Sequence, residues 1–388
     1  CDASDGDPTL DEMVEEYYKA DYDILAMTDH GVITNGWTSE RETNGIFNKF
    51  RKVYPMSEEN YERITKGLDR GGRGMTDIRG GIECNMAVIS KTHVNGYFTT
   101  YGQGEWGIEN DYRTAPVEIE KAGGYSVLNH VGDWVDSGRF PHRSHWNVYI
   151  AYFAGIFIDC PSCLGMEIVN NTDRVTRGDR DLWDELLQVV IPKGRNIWAF
   201  ADDDSEKLNE VGRSFEFFVL PENNEANVKK AMKDGNFFAA SKYYKTTDGV
   251  GDFDGDGNVP LVAGIKVDQK ANTITVATDP TRDCRVIEWI ADGKVIATGN
   301  TIDLNDYEKD LGCYIRFQMK GSGGVTYSQP FELQYKGRID KPVPSWALWV
   351  FKTEAGQKFM KFYHSHSFAL GAFIAEKIRI LIEDNIKK

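Results

Sequence analysis

The seven histidines of this chain lie at 30, 93, 130, 142, 145, 364 and 366, and three of them border apolar runs. DILAM runs into Thr28-Asp29-His30-Gly31, YSVLN runs into His130, and His93 opens VNGYF. Acids stand at similar boundaries. Glu83 closes GGIE, Asp202, Asp203 and Asp204 close NIWAFA, and Glu206 follows. Imidazole and carboxylate together suit Zn, Mn or Fe, and an acid beside a ligating imidazole can orient it. Such ions polarise substrate oxygens and bring a bound water's pKa near neutrality. Taken alone, TDHG also reads as a turn. The boundaries taken together favour a metal centre over separate strand caps.

Something must bring these ends together. PTLDEMVEEYYKA has helical spacing, with Pro8 and Thr9 at its start. Then come strand-like DILAM, GGIECNM, THVNGYFTTY, YSVLNH, LGMEIVN, NIWAFADDD and VGRSFEFFVL, with helical APVEIEKAGG, RDLWDELLQVV and NNEANVKKAMKDGNF among them. This alternation predicts an α/β fold with a parallel sheet or barrel. Active sites of such barrels form at the C-terminal strand ends. Past residue 258 the texture changes to LVAGIKVD, NTITVAT, VIEWIADGKVIA, GCYIRFQMKG and VTYSQPFELQY. Short alternating strands with ADGK and GSGG turns predict a small antiparallel β-sandwich.

The order of these motifs resembles the PHP (polymerase and histidinol phosphatase) family of metal-dependent phosphoesterases. The matching segments are Ser4-Asp5-Gly6, Thr28-Asp29-His30, Gly81-Ile82-Glu83, His93 before its strand, His130, Asp204-Ser205-Glu206 and GRSF at 212–215. The resemblance covers 1–243. It implies a distorted seven-stranded (β/α) barrel and a site with two or three divalent ions, Zn, Mn or Fe. It further implies hydrolysis of a small phosphate ester by a metal-bound hydroxide. In that scheme Glu83 bridges two ions, and Glu83 and Asp204 are the catalytic acids. His93 and His130 hold one ion, Asp204 helps hold a second, and Asp5, His30 and Glu206 hold a third. Arg213 is the candidate phosphate contact, with a surface ion pair as its other reading.

This sequence departs from the family pattern in three places. Val131 replaces a proline after His130, and Glu206 replaces a histidine. No H-x-H precedes Ser4, whereas His364-Ser365-His366 follows the strand-like KFMKFY. The expectation is that His364 and His366 complete the site from the C-terminal segment; a shortened N-terminus and an unrelated surface HSH are the alternatives. His142 and His145 match no family position.

Division is expected into a barrel at 1–243, an acidic Gly/Asp linker at 244–258, a sandwich at 259–335 and a C-terminal segment at 336–388. The last ends in an amphipathic helix striped by Ile374, Ile378, Leu381 and Ile382. Asp252, Asp254 and Asp256 have the opening spacing of a Ca²⁺ loop, but Ala263 stands where a closing Glu belongs. Cys160-Pro-Ser-Cys163 is a single CxxC, read as structural thiols. Cys284 and Cys313 are a pair that an oxidising compartment could cross-link.

Bulk properties narrow the function classes. A net charge of −15 over 388 residues repels phosphate backbones, so general nucleic-acid binding is not expected. No apolar run reaches the length of a membrane span. CDASDGDPTL has neither the basic nor the apolar part of a signal peptide, although Cys1 also fits the start of a lipidated chain. A soluble protein is expected, secreted or at the cell envelope rather than cytoplasmic. Two other functions remain open: a decayed barrel that binds rather than catalyses, and a metal hydrolase of amide or sugar bonds.

Overall fold

The computed structural model describes residues 1–43, 53–85, 92–105, 111–135, 147–338, 340–342, 349, 353–356 and 358. His142, His145, His364, His366 and the expected terminal helix lie outside the described residues.

The first helix is α1, Leu10–Lys19. Thr9 and Glu12 form a reciprocal capping box at its start, and Leu10, Met13, Val14, Tyr17 and Tyr18 make its buried face. Strand β1 (Ile24–Ala26) pairs in parallel with β2 (Thr76–Ile78), and α2 (Glu58–Lys66) lies between them in the chain. Next come β3 (Ile82–Cys84), β4 (Val94–Tyr97), α3 (Thr114–Lys121), β5 (Tyr125–Leu128), α4 (Val131–Val135), α5 (Asn147–Asp159), β6 (Cys163–Asn170), α6 (Asp179–Val190) and β7 (Trp198–Asp202). β3 to β7 form one five-stranded sheet in chain order. Every residue of β6 is buried, as its nearly continuous apolar sequence requires of a central parallel strand. Side chains from α3, α5 and α6 join this sheet in one large apolar core.

Two features differ from the expected parallel barrel. Within the five-stranded sheet the pairs β3–β4 and β4–β5 are antiparallel, and β5–β6–β7 run parallel. Among the described residues no sheet closes on itself. At the free edge of β7 side chains substitute for a neighbouring strand. Gln329 accepts from the Ala199 amide at 2.8 Å and donates to its carbonyl at 2.9 Å. Glu216 accepts from the Ala201 amide at 2.8 Å. Buried backbone groups must be paired, and here the pairing ends the sheet.

β8 (Ser214–Phe218), α7 (Glu225–Asp234) and β9 (Phe237–Ser241) follow. The Gly/Asp stretch folds back as a ribbon of β10 (Tyr243–Tyr244) against β11 (Phe253–Asp254). The later strands are β12 (Val262–Asp268), β13 (Thr273–Thr278), β14 (Val286–Ala291), β15 (Lys294–Thr298), β16 (Thr301–Asp303), β17 (Tyr314–Gly321), β18 (Gly324–Tyr327) and β19 (Phe331–Glu332). β12, β13 and β16 make one antiparallel sheet. A larger sheet runs β15-β14-β17-β18-β9-β8, with β19 beside β17. The two sheets share a core that includes Ile274, Val276, Trp289, Ile302 and Phe317. Thus an antiparallel two-sheet arrangement exists, and its larger sheet incorporates β8 and β9 from before residue 243. The six cysteines are free thiols, Cys284 and Cys313 included.

Candidate metal centre

Strand direction explains how the scattered histidines meet. β3 and β5 bring Glu83 and His130 toward one edge of the sheet from their C-terminal ends. β4 is antiparallel to both, so only its N-terminal end reaches that edge. His93 sits there, and its carbonyl accepts from the Asn129 amide at 3.0 Å. His30 arrives through a local parallel bridge to Glu83, with the Gly31 amide donating to the Glu83 carbonyl at 2.8 Å. That approach requires glycine at 81, where a Cβ would collide with the Met27 carbonyl oxygen.

Glu83 is the hub. It is 6% exposed, and its two oxygens face different partners. Oε2 lies 3.5 Å from His30 Nδ1. Oε1 lies 3.2 Å from His93 Nδ1 and 3.7 Å from His130 Nε2, and these two nitrogens are 3.2 Å apart. Donors about 2.0–2.2 Å from one tetrahedral ion are separated from each other by about 3.3–3.6 Å, so the three spacings lie close to those of a shared ion. His30, Glu83 and His93 also offer ligand atoms within 4.8 Å of one another. Among the described residues His30 Nδ1 is buried without a hydrogen-bond partner although it faces this cluster. A buried nitrogen left unpaired is costly, and a cation would satisfy it.

Supporting residues fix these side chains. Asn129 donates its side-chain N–H to Glu83 Oε1 at 3.0 Å and accepts from the Asn95 amide at 3.1 Å. His130 takes a left-handed φ of +27°, and its amide donates to Glu167 Oε2 at 2.6 Å. Ser4 donates to Asp29 Oδ1 at 2.8 Å, while Arg41 lies 3.3 Å from Asp29 Oδ2. Asp29 is therefore occupied behind His30 and turned away from the cluster. Neither Asn129 nor Glu167 was identified from sequence. The acid inside apolar LGMEIVN was the available signal, because such residues are seldom buried without a task.

The outer acids are arranged less tightly. Asp5 Oδ2 is 3.6 Å from His30 Nε2 on its solvent side. Asp204 is exposed at a left-handed φ of +50° and interacts electrostatically with His30, His93, His130 and Glu83. Glu206 is also exposed, and its amide donates to Glu210 Oε2 at 2.9 Å. Arg213 pairs with Glu210 at 3.4 Å and donates to Asn171 Oδ1 at 2.5 Å, so its guanidinium is engaged within the protein. Asp252, Asp254 and Asp256 do not converge as a Ca²⁺ loop would. Asp252 accepts from Thr246, Asp254 pairs with Lys245, and Asp256 accepts from the Asn258 amide.

Electrostatics follow from this crowding. Burial pushes the Glu83 carboxyl up, but His30 and then His93 hold it well below the usual range. Burial lowers the His130 imidazole, yet its contacts with Glu83 and the charge of Asp204 raise it to about 9. Burial keeps His93 below its ordinary value. Burial, then the charge of neighbouring acids, lifts Asp202 to about 6. The adjoining cleft, of about 790 Å³, is lined by Asp5, His30, Glu83, Asp202, Asp204 and Glu206 among others, and by Arg73 and Arg282 as its only arginines among the described residues. Compared with known families and curated proteins, the chain matches no family model and no curated sequence.

Proposed function

We propose that this chain is a metal-dependent hydrolase of small phosphate esters with a PHP-like site. The observation that carries the proposal is Glu83, whose two oxygens face His30 on one side and His93 with His130 on the other. This suits a carboxylate shared between two divalent ions. His93, His130 and Glu83 would hold one ion; His30 and Asp5, with Asp204 and Glu206 lining the same cleft, would hold the rest. Nitrogen and oxygen donors suit Zn, Mn or Fe.

Divalent ions bound there would polarise the phosphoryl oxygens and acidify a water. The protein's own residues do the remainder. Asn129 and Glu167 keep Glu83 and His130 in place, which limits reorganisation during reaction. Asp204, exposed at the mouth, can accept the proton of the attacking water. The acidic cleft opposes a phosphate dianion until cations neutralise it, so metal loading and substrate binding are coupled.

A second reading is hydrolysis of an amide or sugar bond. The engagement of Arg213 favours it, since a phosphoryl group then lacks a guanidinium at that position. The test is metal analysis of the purified chain followed by turnover of phosphomonoesters, phosphodiesters, acyl substrates and glycosides with Mn²⁺ or Zn²⁺. Phosphate release that chelation abolishes is expected. Metal binding with acyl or sugar turnover alone replaces the first reading with the second. Less than one bound ion and no turnover would refute both and leave a binding protein.

A further inference from the structure

We infer that Asp203 is a positioning residue that aims Asp204 at the metal centre by clamping the return loop at 212–214. The inference rests on the proposed metal centre. Of the three consecutive aspartates that end β7, each has a different environment. Asp203 is 5% exposed and its carboxylate is saturated. Oδ1 accepts from the amides of Arg213 at 2.5 Å and Ser214 at 2.9 Å. Oδ2 accepts from the Gly212 amide at 2.9 Å and the Tyr22 hydroxyl at 3.3 Å. With four donors spent on it, this carboxylate has no capacity left for an ion.

Asp204 is the opposite case. Its backbone is left-handed, a conformation uncommon outside glycine. Such a conformation persists only where the surroundings enforce it. The braces lie on both sides. Asn171 donates to the Asp204 carbonyl at 3.5 Å, and Ser214 donates to the Asn171 carbonyl at 3.3 Å. Beyond Asp204, Tyr17 donates to Ser205 Oγ at 3.3 Å. Without the Asp203 clamp, the three amides of loop 212–214 lose their acceptor and Asp204 can relax to an ordinary backbone. Its carboxylate then turns from the histidines.

The test is calorimetric titration of Zn²⁺ and, separately, Mn²⁺ into the metal-free full chain. The variants are Asp203→Ala, Asp204→Ala, the double variant and Tyr22→Phe. Loss of a residue that holds a ligand in place lowers metal affinity by about 10–100-fold. Asp203→Ala and Asp204→Ala should each weaken binding by at least about tenfold, and the double variant should bind within about twofold of Asp204→Ala, because both remove the same interaction. Tyr22→Phe, which deletes one donor and keeps the ring, should weaken binding about threefold with unchanged circular dichroism; it carries the test if Asp203→Ala does not fold. A purely structural role would lower the melting temperature of the metal-free chain and leave affinity intact. Wild-type affinity in Asp203→Ala or in Tyr22→Phe, or multiplied losses in the double variant, overturns the inference while the metal centre stands. Absence of binding by the wild-type chain overturns the metal centre itself.

Discussion

Protons and metal ions should compete for His130. Its Nε2 faces Glu83 Oε1 at 3.7 Å and His93 Nδ1 at 3.2 Å, and the imidazole titrates at about 9. In the metal-free chain it is therefore protonated at pH 7, whereas an ion can bind only the neutral ring. Displacing the proton at pH 7 costs about 2.7 kcal/mol, at about 1.36 kcal/mol per pH unit. Apparent metal affinity should rise about tenfold per unit from pH 7 to 9 and then level off. Calorimetry at pH 7 in buffers of different ionisation enthalpy should show at least one proton released per ion. Stability gives an independent reading with the opposite sign. The folded value lies above the ordinary 6.5, so the metal-free chain holds this contribution fully below pH 6.5 and loses it as pH rises through about 9. The loss amounts to about 3.4 kcal/mol. Denaturant unfolding of the metal-free chain at pH 6.5 and 9.5 would measure it. Flat metal affinity between pH 7 and 9, with no proton release, would refute this account of His130.

Glu83→Gln should reduce metal affinity by at least about 100-fold, measured by competition with a chelating dye, because an amide cannot serve two ions and donates where a carboxylate accepts. Gln329→Leu should destabilise the fold by about 2–4 kcal/mol in urea unfolding, since it strands the buried Ala199 amide and carbonyl at the free edge of β7. Wild-type stability in that variant would mean that another group closes the edge. Arg316→Met should cost about 3–5 kcal/mol. It would leave Asp184 buried and without the guanidinium that now donates to both of its oxygens at 2.7 and 2.6 Å.

The sequence alone identified much of the local structure, because local physics settles it. The Thr9–Glu12 box, the Asn224 cap and the left-handed Gly235 mark helices whose ends are encoded by a few neighbouring residues. Alternation marked the strands after residue 258 for the same reason. Boundary placement also picked out His30, Glu83, His93 and His130. Pairing direction and closure were not legible. An apolar run such as VNGYF has the same sequence whether its neighbours run parallel or antiparallel, and β4 lies antiparallel to both of its partners. That direction is the reason a histidine at the start of a strand meets two residues at strand ends. The sheet edge at β7 was equally hidden, since Gln329 lies 130 positions from Ala199. Three adjacent aspartates look alike in sequence. Only tertiary structure gave Asp203 to the return loop and left Asp204 exposed in the cleft that His30 and Glu83 line, because a carboxylate's role depends on which donors the fold brings to it.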